Sequence, residues 1–170
     1  MQDLVKYKIP STFVLSWGFP TEAELVYGYK NGWISESTVV KIALAKLEAN
    51  LKTSDIEQKL ALLLSDDLAV VDELLAQIDI SMQQVSKLYK RWLFLALAWL
   101  WENKKSVQDP LEIVELLYAD FEYPTEIKGF VRYMPSSSEK TGIRALNQRW
   151  EDYLKETGQE YLSFEKNEIV

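Results

Sequence analysis

Apolar and polar positions alternate along this chain with the period of helices rather than strands. After Ser35, the run ESTVVKIALAKLEAN places Val40, Ala43, Leu44, Leu47 and Leu51 at spacings of three and four, which predicts one apolar helix stripe. Ser54-x-x-Glu57 reads as a capping box ahead of IEQKLALLL. Ser65 is placed to cap a helix over DDLAVVDELLAQI, with Asp66 and Asp67 at its positive end. Ser81 opens the longest predicted helix, running to about Lys104 through the middle of the fold. Asp109-Pro110-Leu111-Glu112 combines an N-cap, a proline at the first helical position and a glutamate three residues past the cap. That helix should stop before Pro124, because the residue preceding a proline avoids the α region. A last long helix is predicted over 139–156, with Thr157-Gly158 as its stop.

The first 34 residues are less regular. FVLSW fits a short strand or a helical turn, whereas Thr21-x-x-Glu24 predicts a capped helix ending at Asn31-Gly32. PSSSEKTG, residues 135–142, is the one loop-like run. Three helix starts, SESTVVKIALA, SDDLAVVDELLA and DPLEIVELLYA, resemble one another but follow no fixed period. The expected fold class is all-α: residues 1–170 as a single-domain bundle of about six to eight helices with a long central apolar helix.

Composition narrows the chemistry. The 170 residues contain no cysteine and no histidine. Disulfides, thiolate metal sites and a Ser-His-Asp triad are therefore excluded, as is the usual general base near neutral pH. The N-terminus lacks a signal-peptide h-region. WLFLALAWLW, residues 92–101, is about half the length that spans a bilayer. A cytoplasmic location with no membrane partner is expected.

The net charge of −7 is uneven. Residues 54–79 and residues 109–126 each carry net −6, which leaves +5 on the remainder. This argues against nucleic acid as a partner and favours a basic protein. The carboxylates at Asp66, Asp67, Asp72 and Glu73 could serve a divalent cation, but helical neighbours point about 100° apart and no EF-hand spacing is present. A solvated acidic face is the simpler reading. Asp120-Phe121-Glu122 lies at the carbonyl end of a helix, which draws cations and fits equally a basic partner or Arg132. Ser136–Ser138 with Lys140 are not held in any recognisable geometry, and no phosphate-binding glycine pattern occurs. No cofactor and no metal are expected. Trp92 and Trp99, seven apart, share a helix face predicted to be core, with Trp101 on another side.

The segments SWGFPTEAELVYGYKNGWIS and DPLEIVELLYADFEYPTEIKGFVRYMP resemble a family of bacterial domains of unknown function. Its members share a W…YGY-x-x-GWIS segment and a helix ending in YADF-x-YP followed by FVRYMP. The resemblance supplies no catalytic residues. It implies an association with toxin neighbourhoods, and hence an immunity-type protein that neutralises a partner toxin. The resulting expectation is a non-catalytic binding module whose acidic surface contacts a basic toxin domain. Its candidate contacts are Asp66, Asp67, Asp72, Glu73, Asp120, Glu122 and Tyr123. The alternatives are a helical adaptor with a peptide groove and a carboxylate/metal enzyme. Within YADFEYPTEIKGFVRYMP, Tyr118 and Phe121 should face the core with Val114 and Leu117, and Phe130 with Tyr133 should close the corner.

Overall fold

The computed structural model of the chain describes residues 7–135 and 142–168, with the side chains of 164–168 excepted. The described residues form eight α-helices and three 3-10 segments, with no strand. They fall into two compact units. One comprises Tyr7–Trp92 with residues 162–168, and the other comprises Leu93–Tyr161. Residues 136–141, most of the predicted loop, lie outside the described residues.

In the first unit, FVLSW is helical. It belongs to α1, Ser11–Ser16, which follows Pro10 and buries Phe13 and Val14. α2, Glu22–Lys30, starts at the predicted capping box: Thr21 Oγ1 accepts from the Glu24 N–H, and the Glu24 carboxylate accepts from the Thr21 N–H. It ends at Asn31, and Gly32 takes the left-handed turn at φ 78°. α3, Glu36–Glu48, is capped by Ser35, whose Oγ accepts from the Thr38 N–H. Its buried face is Thr38, Val39, Ile42 and Ala43, so the predicted stripe is rotated, and Leu44 is exposed. The sequence holds two overlapping stripes here, and the β-branched one is the one that packs.

α4, Asp55–Ala61, begins at the Ser54/Glu57 capping box, as its spacing predicts. The next segment differs from expectation. Residues Ser65–Val70 form a 3-10 segment without a side-chain cap, and only Val71–Leu75 forms an α-helix, α5. None of residues 65–70 is buried, whereas Val71, Leu74 and Leu75 are. An α-turn without tertiary burial has little to hold it.

α6, Met82–Asn103, contributes residues to both units. Residues 81–87 are exposed, and Arg91–Ala98 are buried. Trp92 is fully buried against α2, and its Nε1 donates to the Glu24 carbonyl at 2.8 Å. Gly28 lies beneath this indole. A Cβ added there would sit 2.1 Å from Trp92 Cζ2. Trp99 is half-buried.

In the second unit, α7, Pro110–Asp120, starts at Asp109, whose Oδ1 accepts from the Glu112 N–H. It stops before Pro124, as predicted, through two consecutive left-handed residues, Glu122 and Tyr123, at φ 60° and 62°. A 3-10 segment, Thr125–Phe130, follows. Tyr118, Phe121 and Phe130 are buried. Tyr133 is 81% exposed and does not close the corner, because the chain has left helical spacing after Phe130.

α8, Ile143–Glu168, is the longest helix and continues through Gly158 instead of stopping there. Trp150, Leu154 and Gly158 are buried along it, with Tyr153 and Tyr161 half-buried. These positions keep one face at helical spacing past the glycine. Phe94 packs against Tyr153 and Tyr161, with centroids 6.4 and 5.2 Å away. Trp150 stacks on Phe130 and meets Trp101 edge-on at 4.9 Å. Its Nε1 is buried without a hydrogen-bond acceptor among the described residues.

Candidate protein-binding surface

Two of the buried and half-buried acids of the first unit are matched by bases. Glu57 accepts from Lys46 Nζ at 2.6 Å and from the Ser54 N–H at 2.9 Å. Glu24 accepts from Arg91 Nε at 2.7 Å. These pairs hold helices together, since removing one partner would strand a desolvated charge.

The acids from 66 to 73 behave differently. Asp66, Asp67, Asp72 and Glu73 are all exposed, and none joins an ion pair among the described residues. The Tyr29 hydroxyl donates to Glu36 at 3.2 Å and lies close to Asp72, a neutral neighbour that leaves the Asp72 charge uncompensated. Burial first, and these two carboxylates next, push the Tyr29 phenol well above its usual range. The same stretch exposes aliphatic side chains: Leu62 at 72%, Leu64 at 70%, and Val70 to a lesser degree. The sequence reading missed them because LALLLS looks like the continuation of a buried helix. α4 ends at Ala61, so three successive leucines cannot share one face, and only Leu63 is half-buried.

The other candidates belong to the second unit. Asp120 is only 3% exposed, which corrects its assignment as a surface contact. It stands three residues past Leu117 on the face that buries Val114, Leu117 and Phe121. Glu122 and Tyr123 are exposed, as expected. Their left-handed backbone is braced by the Tyr123 N–H to the Tyr118 carbonyl at 2.8 Å and by an edge-on contact between the two tyrosine rings at 5.3 Å.

Arg132 ties this corner to the start of α7. It donates to Asp109 Oδ2 at 2.8 Å and, through Nε, to Glu115. The two carboxylates raise the guanidinium further, and Arg132 in turn holds the Asp109 carboxyl below its ordinary 3.8. A depressed carboxyl stabilises the fold above the unfolded value and loses that contribution as pH falls. The stability difference between the wild type and Asp109→Asn, which keeps a capping side chain, should therefore shrink as pH drops below about 3.8. Urea midpoints measured across that range check this.

Among the described residues no three acids converge as a metal would require. No described helix is long and apolar enough to cross a membrane. Together these features define an all-α protein in which Glu24, Glu57, Asp109 and Glu115 are ion-paired, whereas the stretch from 66 to 73 presents unpaired carboxylates beside exposed leucines. The chain belongs to the family described as an uncharacterized protein conserved in bacteria (DUF2247), whose model matches residues 12–158. No curated protein and no solved structure matches it.

Proposed function

We propose that this protein is a non-catalytic, cytoplasmic binding module of the immunity type, which neutralises a basic toxin domain through the surface spanning Leu62 to Glu73. The observation that carries this reading is the coincidence of four uncompensated carboxylates with Leu62, Leu64 and Val70 exposed in the same stretch. Uncompensated charge steers an oppositely charged partner and accelerates encounter. Exposed aliphatic side chains supply area that becomes dry on docking. Carboxylates alone would give weak, salt-sensitive attraction, whereas the combination suits a stoichiometric inhibitor.

The test is co-expression with the product of the adjacent gene. A complex that co-purifies, together with protection of cells from that product, is the expected result. The absence of both would overturn the reading. Replacing Asp66 and Glu73 by lysine should slow association by about tenfold at low salt, with the difference narrowing as salt rises. Stopped-flow mixing at two ionic strengths measures this. The melting temperature should stay near the wild-type value, because neither side chain has an ion-pair partner to lose.

A further inference from the structure

Two clefts flank the start of α2, both within the first unit, and Glu22 lines each of them. One, of about 380 Å³, also presents Lys46 and Lys52 beside Phe19 and Leu51. The other, of about 280 Å³, is walled by Ala23, Ile78 and Leu88, with Thr21, Glu22, Asp79 and Gln84 as its polar groups and no basic residue. The two sides of Glu22 thus differ in charge. In the larger cleft Lys52 offsets the carboxylate, whereas Lys46 is already paired with Glu57. In the smaller one Glu22 and Asp79 stand without a cation.

Glu22 is fixed in place by more than its helix. Ser54 Oγ donates to its Oε1, and the same serine caps α4. Neither Glu22 nor Asp79 takes part in an ion pair among the described residues. The nearby Arg91 is engaged with Glu24. A volume of 280 Å³ is at the small end of ligand clefts, room for one long side chain. Aliphatic walls with two carboxylates suit a side chain that has an apolar stem and a cationic head. A planar guanidinium, with five donors in a fork, can serve carboxylates from two different elements at once, which a compact ammonium does less well.

We infer that this cleft receives an arginine side chain of a partner protein, its guanidinium between Glu22 and Asp79 and its methylenes against Ile78 and Leu88. This deepens the proposed function and rests on its reading of a basic partner.

The probe is Nα-acetyl-arginine methylamide, with the citrulline analogue as its neutral isostere, titrated into the full chain. Backbone amide shifts of Glu22, Ala23, Asp79 and Gln84 report the cleft. Saturating shifts with the arginine compound alone are expected, and Asp79→Asn should weaken them by about fivefold. Asp79 is exposed and unpaired, so this variant should keep its fold, which its melting temperature verifies. Equal shifts with citrulline, no saturation at these amides, or an unchanged affinity in Asp79→Asn would overturn the assignment. Arginine binding without a partner complex would uphold the cleft and overturn the partner reading. A partner complex without arginine binding would overturn the cleft alone.

Discussion

Gly28→Ala should destabilise the protein by about 3 kcal/mol, at the upper end of what overpacking one methyl costs. The added Cβ would lie 2.1, 2.3 and 2.6 Å from three atoms of the Trp92 indole, well inside contact distance. The indole cannot swing aside cheaply. It is fully buried, and its Nε1 is bonded to the Glu24 carbonyl one turn before Gly28. Either the ring moves and strands its own buried N–H, or α2 lifts away from α6. For a chain of this size the melting temperature should fall by about 10 °C. Pairing Gly28→Ala with Trp92→Leu should recover part of the loss, because the second change removes the atoms in conflict. A Gly28→Ala variant within about 0.5 kcal/mol of wild type in urea unfolding would show that the ring is not held as described.

Gly28 also marks where sequence reading ends. Local signals were legible: the capping boxes at Thr21 and Ser54, the Asp109-Pro110 start, the Asn31-Gly32 end and the stop before Pro124 all depend on residues a few positions apart. Signals set by distant packing were not. Gly28 has no local reason to be glycine in the middle of α2, and the reason is Trp92 on α6. The stripe on α3 had two solutions of similar hydrophobicity, and its tertiary neighbours chose between them. Thr157-Gly158 looked like a helix end because a glycine commonly terminates one, yet a small buried residue inside α8 serves packing equally well. The surface was half legible. Charge runs identified Asp66, Asp67, Asp72 and Glu73 as exposed. The exposure of Leu62 and Leu64 depended on a helix end misplaced by a few residues, whereas the burial of Asp120 depended on which face of α7 packs.

Arg91→Ala should cost a similar amount, about 3 kcal/mol, by a different route. Arg91 is buried although charged, and its Nε bonds Glu24 Oε2 at 2.7 Å. The same carboxylate oxygen closes the α2 capping box by accepting from the Thr21 N–H at 2.8 Å. One carboxylate therefore joins the helix cap to the α2–α6 contact. Removing the guanidinium leaves a poorly hydrated anion whose remaining support is the cap, the situation in which breaking a buried pair is most damaging. Replacing both partners, as Arg91→Met with Glu24→Leu, should cost less than Arg91→Ala alone, because no stranded charge remains. The cap loss of about 1 kcal/mol would persist. Urea unfolding of the singles and the double gives the coupling directly, and additivity within about 0.5 kcal/mol would sink the claim of a shared carboxylate. The joint also bears on recognition. Glu22 stands on α2, while Gln84 and Leu88 stand on α6, so the Glu24–Arg91 pair sets the spacing of the arginine cleft. Under conditions where Arg91→Ala remains folded, the arginine compound should bind it more weakly than wild type, although Arg91 itself does not line the cleft.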